Sequence, residues 1–315
     1  MSEEARTILW AVIPVFGLVV VGLAIRKLNW LNEVADESLL RVTINLLTPC
    51  LILDSALGNP ALLQWRNLVL APTIGFAMVA FGMGVAFFCG RTARVGDERA
   101  VRTFAVTAGL QNYSYVPIPL AMLLFDTRTV GVLFVHNVGV DVSMWTLGVM
   151  LLTGAMSARD WRKIINAPLL AIALAIVMNE FRVDQSIPKA VLTAIHWLGG
   201  CAIPMALILI GAVVADHLHE FHSPSSWRVI ATAVFVRVAF MPGCMLLVAK
   251  FLPATVELKR VLVLEASMTS AVFPIVMSRH YGGDPPTALR VVIGTSVVGL
   301  VTIPLWIHLG LGWIL

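Results

Sequence analysis

The sequence predicts an all-α membrane protein of about ten transmembrane helices, arranged as two five-helix halves of opposite orientation with broken, crossing fourth and ninth helices. Three observations predict it. The composition is too apolar for a soluble chain, the apolar residues fall into blocks of membrane-spanning length, and interrupted helices recur five spans apart.

Of the 315 residues 59% are hydrophobic and 13% charged, and the mean hydropathy is +0.89, whereas an ordinary soluble domain carries roughly 25% charged residues. A soluble fold could not bury that much apolar surface, so lipid must cover part of it. The formal net charge of +4 comes with no basic face or stacking module, so nucleic acid is not expected as a partner. It reads instead as topology, because short basic loops stay on the cytoplasmic side.

The spans follow in order, each close to the ~20 residues a bilayer requires. Span 1 covers 7–25; Glu3 and Glu4 precede it where a removable signal would be basic. Span 2, 36–57, contains "NLLTPCLILDSAL", with one proline in its first half. Span 3 covers 68–89. Span 4, 101–124, contains "QNYSYVPIP", a polar run leading into Pro117 and Pro119. Span 5, 129–152, carries His136, Asn137 and Asp141. Span 6 covers 164–180, and span 7, 190–214, contains "GGCAIPMALILIGAV" with its single Pro204. Span 8, 226–249, holds Arg237. Span 9, 258–279, contains Glu265 and "MTSAVFPIV", again polar residues leading into a proline, Pro274. Span 10 covers 287–309. These blocks are too long for barrel strands. The basic loops at 26–27, 90–102 and 153–163 are all odd-numbered, which puts both termini outside; Lys250, Lys259 and Arg260 in the eighth loop run against that rule. Cys50, Cys89, Cys201 and Cys244 have no metal-ligand spacing and read as small apolar residues of the spans.

Spans 2 and 7, and spans 4 and 9, match in their interruptions. Five is odd, so the second half, 156–315, is inverted relative to the first, 1–155, within one membrane domain. Inverted repeats with matching interrupted helices are the sequence pointer to a transporter binding site. The physical reason is the backbone. Proline removes a donor and frees carbonyls of the preceding turn, and such groups are costly in hydrocarbon unless protein, water or ligand satisfies them. A lone proline reads as a kink and Ser or Asn as interhelical glue; paired breaks with leading polar residues favour a site.

The first candidate is Asn112, whose amide can both donate to a carboxylate and accept. Gln111, Ser114, Thr269 and Ser270 line the same breaks, with Pro117, Pro119 and Pro274 making them. Asp141, with Asn137 one turn earlier on the same helix face, is an ionisable group at bilayer depth, as is Glu265. A lipid-facing acid there costs roughly 2.5–3.5 kcal/mol, so both are expected to face protein. Glu265 has three options: to stay protonated, to pair with Arg237, or to bind a cation with Ser267, Thr269 and Ser270 nearby. His217, His219 and His222, near Asp216 and Glu220, read as a solvated loop, and neither a metal site nor an organic cofactor is expected.

The ordered segments "QNYSYVPIPL", "NAPLLAIALAIVMN", "LGGCAIPMALILIGA", "RVAFMPG" and "AVFPIVMSRHYGGDPPTALRVVIGTSVVGLVTIPLWI" resemble the auxin efflux carrier family over nearly the whole chain. The resemblance implies the fold of bile-acid-symporter-like transporters: spans 1, 2, 6 and 7 as a scaffold, spans 3–5 and 8–10 as a mobile unit with an elevator-like movement. It also implies a sodium-binding role for an acid in span 9, as in sodium symporters of the bile-acid type. Pro117, the absence of a long central hydrophilic loop, and Glu265 depart from the family pattern.

The expected function is thus a secondary active transporter (permease) of small organic anions such as carboxylates, in the cell (inner) membrane. Sodium or proton coupling falls to Glu265, with Asp141 and Asn137 as the lesser candidates. A uniporter, or a channel or sensor on the same fold, is the alternative. An intramembrane enzyme is disfavoured, since no metalloprotease, Ser–Lys, paired-aspartate or nucleotide motif is present. Expected partners are the anion and lipid, with a homodimer left open.

Overall fold

The computed structural model describes residues 3–154, 164–217 and 226–314. The basic residues Arg159, Arg162 and Lys163, and the histidines at 219 and 222 with Glu220, lie outside the described residues, as does the His217 side chain. The described chain is helical and contains no β-strand. Its helices are α1 (Glu3–Lys27), α2 (Glu33–Ala56), α3 (Trp65–Thr92), α4 (Glu98–Gly109), α5 (Pro117–Leu124) and α6 (Thr127–Thr153). There follow α7 (Ala167–Glu180), α8 (Lys189–His217), α9 (Trp227–Phe251), α10 (Val256–Ser267), α11 (Phe273–His280) and α12 (Pro285–Ile314).

Among the described residues seven helices are long and apolar enough to cross a membrane: α1, α2, α3, α6, α8, α9 and α12. The fourth and ninth apolar blocks are each divided into two shorter helices, α4/α5 and α10/α11. Polar caps start the helices where the sequence leaves a loop. Asn32, Asp97, Asp126, Asn166 and Thr255 each accept from a backbone N–H one turn on, which satisfies a donor the first helical turn leaves free. At its other end α6 stops at Gly154, whose φ of 77° lies in the left-handed region. Three long helices carry a π-turn: α2 at Thr43–Leu47, α6 at Met144–Gly148 and α9 at Phe235–Phe240.

Packing divides the helices into two groups. In the first, α1 lies on α8, and α2 on α7 and α8. Close approach explains the α1–α8 contact: a Cβ at Gly22 would fall 2.1 Å from the Ile208 carbonyl oxygen, and one at Gly211 2.0 Å from that of Val19. Small residues let helices meet without a bulky seam. In the second group, α3 lies on α4 and α6, α9 on α10 and α12, α10 on α6 and α12, and α12 on α4. The groups touch where α2 meets α6 and where α1 meets α5 and α12.

Polar ties close the ends. Arg26, at the end of α1, is paired with Asp36 and lies 3.2 Å from Asp216 at the end of α8. Arg99 Nε donates to the Gly283 carbonyl at 2.7 Å, and the Asp284 N–H donates to Thr103 Oγ1 at 2.8 Å. Asn179 Nδ2 donates to the Ala56 carbonyl at 2.7 Å and its Oδ1 accepts from Gly58 N at 2.8 Å. Arg260 lies 3.6 Å from Asp126. All four cysteines are free thiols; Cys50 is buried, but Cys201 is exposed on α8, so it is not the packed residue the sequence suggests.

Candidate functional site

The site is built on the two breaks. Pro117 stands first in α5 and Pro274 second in α11, in the first turn where a missing N–H costs nothing. Here these prolines start helices rather than kink them. The residues that follow α4 and α10 start extended, at Leu110 and Met268, and pair with one another before the chain turns into α5 and α11. Gln111 and Ser270 form an antiparallel bridge, with Asn112 N donating to Thr269 O at 2.7 Å and Ala271 N to Leu110 O at 3.0 Å. Asn137 Nδ2 takes up the Tyr113 carbonyl at 2.7 Å, and Ser270 N donates to Thr295 Oγ1 at 3.3 Å. Each break thus supplies the donors and acceptors that the other lacks, which is what keeps open backbone tolerable away from water.

A cavity of about 160 Å³ lies on one side of this crossing, at the boundary between the two helix groups. The first break and α5 contribute Asn112, Tyr113, Ser114, Tyr115 and Ile118. The second break contributes Ala271, Val272 and Phe273. Helix α6 lines it with Phe134, Asn137, Val138, Asp141, Met144 and Trp145. The opposite wall is Ile44, Thr48 and Ile52 of α2, with Asn166, Pro168, Leu169 and Ile172 at the start of α7.

The polar groups are few and specific. Asn112 and Ser114 make no side-chain hydrogen bond among the described residues, and their polar atoms are not sealed off. Tyr113 donates its hydroxyl proton to Asp141 Oδ1 at 2.6 Å, and Asn166 lines the same cavity. Among the described residues Asp141 is the one charged residue of the lining, and no Lys or Arg belongs to it. Positive potential comes instead from helix ends: the N-termini of α5, α7 and α11 all lie at the cavity wall, each worth roughly half a unit charge. Prolines in these first turns remove some of the free N–H groups. Direct hydrogen bonds to a ligand in this cavity would therefore fall to the amide and hydroxyl side chains.

The remaining candidates lie elsewhere. Gln111, Thr269 and Ser270 are buried within the crossing itself. Pro117, Pro119 and Pro274 are buried in the first turns of α5 and α11. Glu265 is fully buried and does not line the cavity; the same holds for Arg237. Of the three options read for Glu265, pairing with Arg237 is not made as a direct contact: among the described residues no ion pair within 4.0 Å joins them, although α9 packs on α10. Tyr113, Tyr115, Trp145 and Asn166 are cavity residues that sequence reasoning did not single out. Asn166 had a visible signal, an Asn-Ala-Pro helix start, but that pattern predicts a cap rather than a site. Among the described residues no group of three or more His, Cys, Asp and Glu is placed to hold a metal ion.

A family model described as membrane transport protein matches residues 7–164 and 155–307, which together span nearly the whole chain. Two archaeal proteins are similar along their full lengths. An uncharacterized transporter of Methanothermobacter thermautotrophicus is 25% identical over 306 residues, covering 94% of this chain and 96% of the relative. An uncharacterized transporter of Methanocaldococcus jannaschii is 22% identical over 311 residues, covering 96% and 97%.

Proposed function

The chain belongs to the membrane transport protein family, the family of the auxin efflux carriers, and from that premise we propose that it is a secondary transporter carrying small organic anions through the cavity beside the crossing. It is an integral, multi-pass membrane protein. The observation that carries the reading is the unbonded Asn112 amide in a cavity on which three helix N-termini converge. Such an arrangement favours an anion, and among the described residues no Lys or Arg lines the cavity to hold it too tightly to release.

The topology that goes with this reading is ten crossings in two inverted halves. Its support is the parity of the polar ties. Arg26 to Asp216 joins the first and seventh loops, and Arg99 to Gly283 joins the third and ninth. Asn179 to Gly58 joins the sixth and second, and Arg260 to Asp126 joins the eighth and fourth. Odd ties to odd and even to even, as alternating crossings require. The cavity lies between the helix group of α1, α2, α7 and α8 and the group of the crossing. Sliding one group against the other would open it to either side in turn, an elevator-like movement.

Asp141 bears on the driving force. A carboxylate and an anionic ligand 4 Å apart repel by about 4 kcal/mol at an effective dielectric constant of 20, so an anion enters this cavity most readily with Asp141 protonated. The Tyr113 phenol is bonded to it, and Tyr115 and Asn166 line the same cavity. Proton-coupled uptake follows. Purified protein in liposomes, given radiolabelled acetate, succinate, benzoate or indole-3-acetate, should accumulate at least one of them in an inward proton gradient. Asp141→Asn should make that flux independent of the gradient. If no carboxylate is moved or bound, the anion reading fails; if Asp141→Asn keeps full gradient dependence, the proton lies elsewhere.

A further inference from the structure

A second polar cluster lies behind the crossing, walled off from the cavity. Glu265 on α10 and Arg237 in the π-turn of α9 are both fully buried. Among the described residues neither carboxylate oxygen of Glu265 and none of the three guanidinium nitrogens of Arg237 has a hydrogen-bond partner. Gln111 Nε2 from the first break and Ser270 Oγ from the second are unbonded as well. No contact of 4.0 Å or less joins the Arg237 guanidinium to the Glu265 carboxylate among the described residues; α9, which carries Arg237, packs on α10, which carries Glu265. The π-turn that carries Arg237 packs against α3, α4 and α12, and so lies beside the half-helix α4, which ends at Gly109.

We propose that Arg237 is the built-in counter-cation of the crossing, holding with Glu265 the place that a mobile sodium ion would otherwise need to fill. The helices α4 and α10 both end at the breaks, so two negative helix ends and one carboxylate meet there. A buried carboxylate needs compensation by a proton, a bound cation or a fixed one. Carboxylate, amide and hydroxyl oxygens of Glu265, Gln111 and Ser270 are the hard donors that a sodium ion takes. A guanidinium on the helix packed against α10 supplies the charge permanently, because arginine stays protonated, and it repels any second cation. Transport as read above then proceeds without sodium. The π-turn adds a residue to the helix at this level, a distortion often found at functional positions.

The test is run on purified full-length protein by thermal melting in sodium chloride against N-methylglucamine chloride at equal ionic strength. It needs no transport activity, so it can fail independently of the anion-transport reading. Wild type is expected to melt at the same temperature in both salts. Arg237→Met should melt earlier in N-methylglucamine and recover by about 2 °C or more in sodium. The double variant Arg237→Met/Glu265→Gln should lose the sodium response and melt closer to wild type than either single variant. Sodium stabilisation of wild type that disappears in Glu265→Gln would overturn the proposal, because Glu265 would then be a sodium ligand beside an idle arginine. Strictly additive losses in the double variant would overturn it too, because they leave no pair. Should Arg237→Met fail to fold, the wild-type salt comparison decides alone, since a sodium-independent melting point is expected and a sodium-dependent one is not.

Discussion

Replacing Asn112 with Ala separates a ligand-binding amide from an amide that holds helices together. The Asn112 side chain makes no hydrogen bond among the described residues, and the pairing at this position runs through its backbone, whose N–H donates to Thr269 O at 2.7 Å. Asn112→Ala leaves that bond in place, so stability should change by no more than about 0.5 kcal/mol. Binding is a different matter. A hydrogen bond to a charged acceptor contributes about 1.5–3 kcal/mol, so affinity for a carboxylate should fall roughly 10- to 100-fold. Asn137→Ala is the matched control, because Asn137 lines the same cavity but its Nδ2 bonds the Tyr113 carbonyl at 2.7 Å. Losing it strands a carbonyl in the break and should cost about 1–3 kcal/mol of stability. Melting curves with and without the carboxylate that binds wild type, followed by calorimetric titration, read both effects. The reasoning is refuted if Asn112→Ala melts as early as Asn137→Ala while binding as well as wild type: Asn112 would then be a structural amide.

Three further outcomes test the packing on which the site rests. Gly109→Ala should cost about 1–3 kcal/mol, because its Cβ would lie 2.5 Å from Met83 N and 2.8 Å from the Gly82 carbonyl carbon, backbone that cannot step aside; an unchanged melting point would mean that α3 and α4 do not meet there. Asn179→Ala removes hydrogen bonds of 2.7 and 2.8 Å to Ala56 O and Gly58 N and should cost about 2–4 kcal/mol, read by the same melting assay. Arg260→Ala breaks a 3.6 Å pair with a half-exposed Asp126 and a stack over Phe125, so it should cost about 1 kcal/mol or less.

How far the sequence reaches is clearest at adjacent residues. Polar residues leading into proline point correctly to Gln111 through Ser114 and to Thr269–Ser270 as the places where helices stop. They do not tell which side of the crossing each side chain serves. In extended backbone neighbouring side chains point to opposite faces, so Asn112 faces the cavity while Gln111 faces Glu265. That alternation follows only once the break is known to be extended and bridged, and the bridge partner lies over 150 residues away in the chain. Asn166 is hidden for a similar reason: its local role as a helix cap accounts for the Asn-Ala-Pro pattern. Its place across from Asp141 depends on α7 packing against α2. The π-turns leave no trace in the apolar periodicity, although Ile44, Met144 and Trp145 within two of them line the cavity.

The bridge also constrains which part of the molecule can move. Separating the two breaks would strand Leu110 O, Thr269 O and the N–H groups of Asn112 and Ala271, at about 1–3 kcal/mol for each buried group left unpaired. The facing wall is different in kind. Apart from Thr48, Asn166 and Pro168 it presents aliphatic side chains, those of Ile44, Ile52, Leu169 and Ile172, and among the described residues no backbone hydrogen bond joins α2 or α7 to the crossing. Apolar surfaces can slide with little change in contact energy, whereas paired backbone cannot. A change of access that keeps the breaks together and shifts them along α2 and α7 is therefore the cheapest one this architecture allows. The same division explains why the unbonded polar groups of the cavity, Asn112 and Ser114, are carried on the crossing. On the proposed transport reading, a ligand held by them would travel with the crossing.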